Sequence, residues 1–144
     1  LYFDGGCRGN QGRTNVGGWG VHLVWGEHVK DLHGGELNTT NNKMELTAAI
    51  EGLRAIKNKD VGVDVYVDSA YVLNGITSWI YGWMKKDWKN SKKEPVANKE
   101  LWLELLAEKE KFADIEFRKV KGHANNAGNN RADELANIAM DELS

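Results

Sequence analysis

With Cys7 as its only cysteine among 144 residues, the chain cannot close an internal disulfide, and a reducing, cytoplasmic setting is expected. Long apolar runs are missing as well. None approaches the ~20 residues that a membrane-crossing helix needs, and no leader with a basic start and a small-residue cleavage site is visible, so no membrane partner is expected. Net charge is close to nil, at −2, which argues neither for nor against a nucleic-acid partner, because that question turns on where the charge lies. Repeats, low-complexity tracts and linkers are also lacking. One domain over residues 1–144 is therefore expected, and no feature demands anything beyond a monomer.

What is present is unevenly placed. Residues 85–99, KKDWKNSKKEPVANK, carry six lysines against Asp87 and Glu94. Trp79, Trp83, Trp88 and Trp102 fall in or beside this stretch. Lysines interleaved with aromatic rings suit a phosphate backbone, the ammonium groups offsetting charge while rings pack on sugars or bases. Taken alone, the segment reads better as a solvated helical face over buried indoles.

Hydrophobic patterning supplies a skeleton. LYF, VGGWGVHLVWG (16–26) and HVKDLHGGEL (28–37) read as strands, the last two joined as a hairpin around Gly26 and Glu27. From Lys43 to Lys57, Leu46, Ala49, Ile50, Leu53 and Ile56 recur at helical spacing behind the polar entry TTNN. VDVYVD (63–68) alternates as a strand, with Val63, Val65 and Val67 on one face. Helical segments are expected over 69–86 and over 98–112, the latter with Asn98 as N-cap. DIEFRKVK (114–121) reads as a fifth strand, and NNRADELANIAMDEL as a closing helix. The expected class is mixed α/β, a five-stranded mixed sheet flanked by helices.

On this skeleton four acids share a type of position. Asp4 and Asp68 are expected at strand ends, Glu45 and Asp133 in the first turns of helices. Such points converge on one edge of a mixed sheet, where open α/β folds place their ligands. Carboxylates brought together repel one another, so they take up protons or bind a cation, and oxygen donors suit Mg²⁺ or Mn²⁺. Each acid also has an ordinary explanation. Asp4 suits a turn with Gly5, Glu45 a capping box with Asn42, Asp68 an N-cap, and Asp133 a helix dipole. Their joint placement carries the case.

Five blocks, FDGGCRGN, TTNNKMELTAAIEGL, VDSAYVLNGI, GWMKKDWKNSKKEPVANKELW and VKGHANNAGNNRADELA, resemble type 1 ribonuclease H in its bacterial form with a basic protrusion, here about 79–99. The resemblance runs in order along essentially the whole chain. It implies an endonuclease, a metal-dependent hydrolase that cuts the RNA strand of an RNA/DNA hybrid and leaves a 3′-hydroxyl and a 5′-phosphate. It assigns metal binding and catalysis to Asp4, Glu45, Asp68 and Asp133, with two Mg²⁺ ions in the substrate complex and Mn²⁺ as a substitute. His123, in the loop KGHANNAG, matches the family's mobile histidine, which assists proton transfer or product departure.

The same resemblance places Asn10, Asn41 and Asn42 against the RNA 2′-hydroxyls, with backbone around Cys7 close to that strand. Thr40 and Asn98 correspond to a pocket for a DNA phosphate, and Trp79 and Trp83 to an aromatic channel for the DNA strand. Departures are visible. Asn38 stands at the phosphate pocket where many relatives have arginine, which removes a charge-assisted contact. Ala70 stands where glutamine is common, and Asn130 where an acid often precedes the last motif. The first glycine loop, GNQGRTNVGG, is longer. A non-catalytic hybrid-binding module of the same fold is the alternative reading, and the presence of all four acids weighs against it.

Overall fold

The computed structural model describes residues 1–9, 15–120 and 126–143. Its strands follow the alternation of the sequence. β1 (Tyr2–Arg8), β2 (Val16–Trp25) and β3 (His28–Leu37) form an antiparallel meander, and the two-residue turn between β2 and β3 has Gly26 at φ +57°, as a tight hairpin requires. Helix α1 (Asn41–Ala55) follows, then β4 (Gly62–Val67). A helical run covers α2 (Ala70–Asn74), a π-helical turn (Gly75–Trp79) and α3 (Ile80–Lys85). Helix α4 (Lys99–Glu110), β5 (Asp114–Lys119) and α5 (Ala127–Leu143) complete the described elements. The sheet order is β3-β2-β1-β4-β5, with β4 parallel to both β1 and β5. Among the described residues no helix is long and apolar enough to cross a membrane.

Helices cover both faces. On one side α1, α2 and α4 enclose Phe3, Val21, Leu46, Ile50, Leu53, Val65, Val67, Ile76, Trp102 and Leu105, all buried. On the other, α5 lays Ala132, Leu135, Ala136 and Met140 over the glycines of β2. Burial on both faces fits the absence of acidic and lysine or arginine side chains from β2, whereas β1 carries Asp4 and Arg8 and β4 carries the exposed Asp64.

Four expectations need correction. Asp4 does not end a strand: β1 runs on through both glycines to Arg8. Gly5 is there because α1 lies directly upon it, and a Cβ would collide with the Met44 backbone. Glu45 and Asp133 fall in second turns rather than first, since α1 begins at Asn41 and α5 at Ala127, each two residues earlier than expected. The early start of α1 follows from Thr40, whose hydroxyl accepts the Lys43 N–H at 3.1 Å and so takes the cap that Asn42 would have filled. Ser69, not Asp68, caps α2, accepting the Val72 N–H at 3.2 Å. Finally, Asn98 stands at the N-cap position of α4, and its carbonyl accepts the Trp102 N–H at 3.0 Å, but its side chain makes no capping bond. It sits at φ +62°, and its amide donates to the Tyr71 hydroxyl at 3.3 Å.

Candidate active site and nucleic-acid surface

Two close approaches, one on each face of the sheet, meet at Asp4. On one face the missing side chain of Gly5 lets α1 settle on β1, and Glu45 follows Met44 to the strand. On the other, Gly20 pairs with Asp4 across the β1–β2 ladder, and a Cβ on it would lie 2.6 Å from Leu135 Cβ and collide with the Ala132 carbonyl of α5. The residue after Ala132 is Asp133. The carboxyl of Asp4 is thereby hydrogen-bonded to those of both Asp133 and Glu45, and the Gly5 amide donates into the pair. Asp68 directly follows β4, the strand parallel to β1, and its charge is felt at Glu45.

Electrostatics follow from that crowding. Burial, then the hydrogen bond and charge of Asp133, holds the Asp4 carboxyl well above the usual carboxylate range. Burial, then the charge of Asp4 and a smaller contribution from Asp68, does the same to Glu45. Both carboxyls are therefore held toward their neutral forms while nothing offsets the charge of the cluster. Among the described residues no three acidic, histidine or cysteine groups are gathered tightly enough to enclose a metal ion; the acids touch in pairs that share protons. The donor set nonetheless fits a hard divalent cation. All four groups are carboxylates, and crowded negative charge is what a cation relieves.

Beside this cluster lie two polar or aromatic surfaces. Asn38, Thr40, Asn41 and Asn42 are all exposed around the start of α1, with Asn38 at φ +55°. Cys7 is half-buried on β1 opposite Gly17. Along the π-turn and α3, Trp79 (42% exposed) contacts Trp83 at 6.0 Å between ring centres, and Trp83 contacts Trp88 at 6.1 Å and Trp102 at 5.4 Å. Trp79, Trp83, Lys86 and Lys89 line a groove of about 480 Å³. The four indoles divide: Trp102 is buried core, while Trp79 faces solvent and Trp83 and Trp88 sit between.

Comparison with known proteins matches the RNase H family model to residues 1–141. The chain belongs to the ribonuclease H family. It is 52% identical to a Ribonuclease H of Chromohalobacter salexigens over 99% of this chain and 84% of that protein, and 53% identical to one of Hydrogenovibrio crunogenus over 99% and 95%. The crystal structure of LC9-RNase H1, a type 1 RNase H with the type 2 active-site motif, superposes at a TM-score of 0.79 with 32% identity, covering 99% of this chain and 72% of that one. A foamy viral protease-reverse transcriptase in complex with RNA/DNA hybrid shares the fold at a TM-score of 0.84, with 21% identity over 96% of this chain and 19% of that one.

Within this ribonuclease H, Asp4, Glu45 and Asp133 come into contact and Asp68 stands beside them. Asn98 is joined through Tyr71 to the tryptophans, since Tyr71 contacts Trp79 at 6.2 Å and its hydroxyl also accepts the Trp102 indole N–H at 3.2 Å. Tyr71 escaped sequence reasoning. The only signal was a lone hydroxyl-bearing ring in an apolar helix close in sequence to four indoles. His123 and Asn10 lie outside the described residues. His22 on β2 and His33 on β3 are engaged by Asp31 at 2.6 Å and Glu142 at 3.0 Å.

Proposed function

We propose that this ribonuclease H hydrolyses the RNA strand of RNA/DNA hybrids at a centre built from Asp4, Glu45, Asp68 and Asp133, releasing 3′-hydroxyl and 5′-phosphate ends. The observation that carries the reading is the convergence of acids from β1, α1 and α5 on one another, with the end of β4 beside them. Two divalent ions, Mg²⁺ or Mn²⁺, bound to these carboxylates would supply an activated water and neutralise the leaving oxygen of the phosphodiester. The residues of the chain hold and orient. Asp4 lies between Glu45 and Asp133 and, with them and Asp68, would hold the ions, and a bound cation would compete with protons for these crowded carboxyls.

Substrate choice falls to the exposed polar rim. Asn41 and Asn42 can both donate and accept, as a 2′-hydroxyl demands, and DNA offers no such group. The Thr40 hydroxyl accepts the Lys43 N–H and so retains its own proton for a phosphate oxygen. Trp79, Trp83 and the lysines around them form the complementary face for the DNA strand. His123 assists proton transfer or product departure. We take residues 1–144 as one catalytic domain, since α5 packs on the same sheet as β1 and α1.

The test is cleavage of an end-labelled RNA/DNA hybrid in Mg²⁺, with duplex DNA and duplex RNA alongside and an Asp68→Asn variant as control. Cutting confined to the RNA strand of the hybrid, and lost in the variant and with chelator, is the expected result. Tight binding of the hybrid without cutting in either Mg²⁺ or Mn²⁺ would sink the catalytic reading.

A further inference from the structure

The long glycine loop re-enters the sheet at Asn15, and there it grips the segment that leads into α1. The Asn15 side chain closes on a single peptide neighbour: its Oδ1 accepts the Thr39 N–H at 2.9 Å, and its Nδ2 donates to the Thr39 carbonyl at 2.7 Å. Its own backbone carbonyl accepts the Asn38 N–H at 3.0 Å. A carboxamide carries one acceptor and one donor group side by side, so it can satisfy both polar groups of one residue as a paired strand would. Aspartate cannot do this when ionised, and an aliphatic side chain cannot do it at all.

Thr39 is held from its other side as well. It is 4% exposed, and its methyl occupies the space above Gly17, where any Cβ would collide with it. The residues around this anchor are of the opposite kind. Asn38, Thr40, Asn41 and Asn42 are all exposed, and Asn38 is in the left-handed region, which asparagine tolerates better than most residues other than glycine. One buried residue, clamped by Asn15, thus sets the position of four exposed polar side chains.

We infer that Asn15 is a positioning residue for hybrid recognition: by clamping Thr39 it presents Asn41 and Asn42 to the 2′-hydroxyls of the RNA strand and Thr40 to the DNA phosphate. The inference rests on the hybrid-cleaving function proposed above and names a residue through which the lengthened loop enters that function. A side chain that fixes binding groups but touches no reacting atom contributes to substrate affinity and leaves the chemical step alone.

The test compares Asn15→Ala and Asn15→Asp with the unaltered chain in steady-state cleavage of the hybrid and in binding of hybrid and of duplex DNA, with folding checked by circular dichroism. In Asn15→Ala, KM for the hybrid should rise about tenfold with kcat within about twofold, and the preference for hybrid over duplex DNA should fall by the same factor. Asn15→Asp, which keeps the acceptor for the Thr39 N–H, should show roughly a threefold rise in KM, and it carries the test if the alanine variant does not fold. An unchanged KM overturns the clamp. So does a fall in kcat alone, or an equal loss of affinity for hybrid and duplex DNA, since those mark a purely structural role. If the unaltered chain does not cut the hybrid, the proposed function fails and the clamp falls with it; normal cutting with a silent Asn15→Ala overturns the clamp alone.

Discussion

Glu45 and Glu108 are the same side chain on neighbouring helices of one core layer, and their environments drive them in opposite directions. Glu45, on α1, is half-buried among Asp4 and Asp68, and burial and negative charge together push its carboxyl up. Glu108, on α4, is only 6% exposed, yet its carboxyl is held down. Burial pushes it up too, but hydrogen bonds from Lys111 at 3.0 Å and Arg54 at 3.4 Å outweigh that effect. Arg54 itself spans Glu51, Glu104 and Glu108 and ties α1 to α4. Burial alone therefore does not mark a working carboxylate. The mark is burial without a built-in counter-charge, because a group neutralised by the fold has nothing left to offer a cation.

The contrast can be broken most severely by removing charge from the acidic cluster. Glu45→Gln should lower hybrid cleavage by about a thousandfold or more while raising the melting temperature, since a buried repulsion disappears with the ligand. Activity assays and thermal denaturation of one preparation read both signs; a fall in both would show that Glu45 stabilises the fold and would end the comparison. Next in size is Gly20→Ala. Its new methyl would lift α5 from the sheet, cost about 1–3 kcal/mol of stability, and draw Asp133 away from Asp4, so that cleavage falls more steeply than the folded fraction. Chemical denaturation beside the activity assay separates the two losses.

At the compensated site the expected pattern reverses. Arg54→Ala should cost about 1–2 kcal/mol by urea denaturation and leave kcat per folded molecule unchanged, because it weakens a structural tie far from the acids. The smallest effect is one of pH. Glu108 has a folded pKa below its unfolded value, so its contribution is fully present above the ordinary glutamate range and is lost as pH falls through the folded value. Glu45 has a folded pKa above its unfolded one, so its cost is absent in acid and grows as pH rises past the ordinary range. The stability difference between wild type and Glu108→Gln should shrink below about pH 4, whereas that between wild type and Glu45→Gln should widen from about pH 5 upward. Urea midpoints at several pH values check both, and parallel curves would show that the two carboxyls do not differ as described.

Strands and the hairpin were legible because alternation and a Gly-Glu turn are local signals, and β2 and β3 lie where those signals put them. The four acids were legible as candidates because local pattern put them at expected strand ends and helix starts, although only Asp68 stands at such a boundary. What could not be read was which glycines are turns and which are landing sites. Gly5 looks like a turn residue and Gly20 like an ordinary strand glycine until α1 and α5 are seen resting on them, and that contact is non-local. The same limit hid the clamp of Asn15 on Thr39, 24 residues apart, and the partner of the Asn98 side chain, which turns to Tyr71 although Asn98 holds the expected N-cap position. Local pattern specifies elements; their meeting points depend on partners far along the chain.

The arrangement of the sheet also bears on when the protein becomes dangerous to RNA. Asp4, Glu45 and Asp68 lie in the first half of the chain, whereas Asp133 rides on α5, which packs on β1, β2 and β3. A ribosome working from the amino end has made β1 to β4 long before α5 exists, and the glycine face of the meander then has no helix to cover it. Domains fold as units once their parts are available. If the four acids form the centre proposed above, cutting power should thus await the synthesis of α5, and a chain stalled at β5, with three of them, should cut nothing.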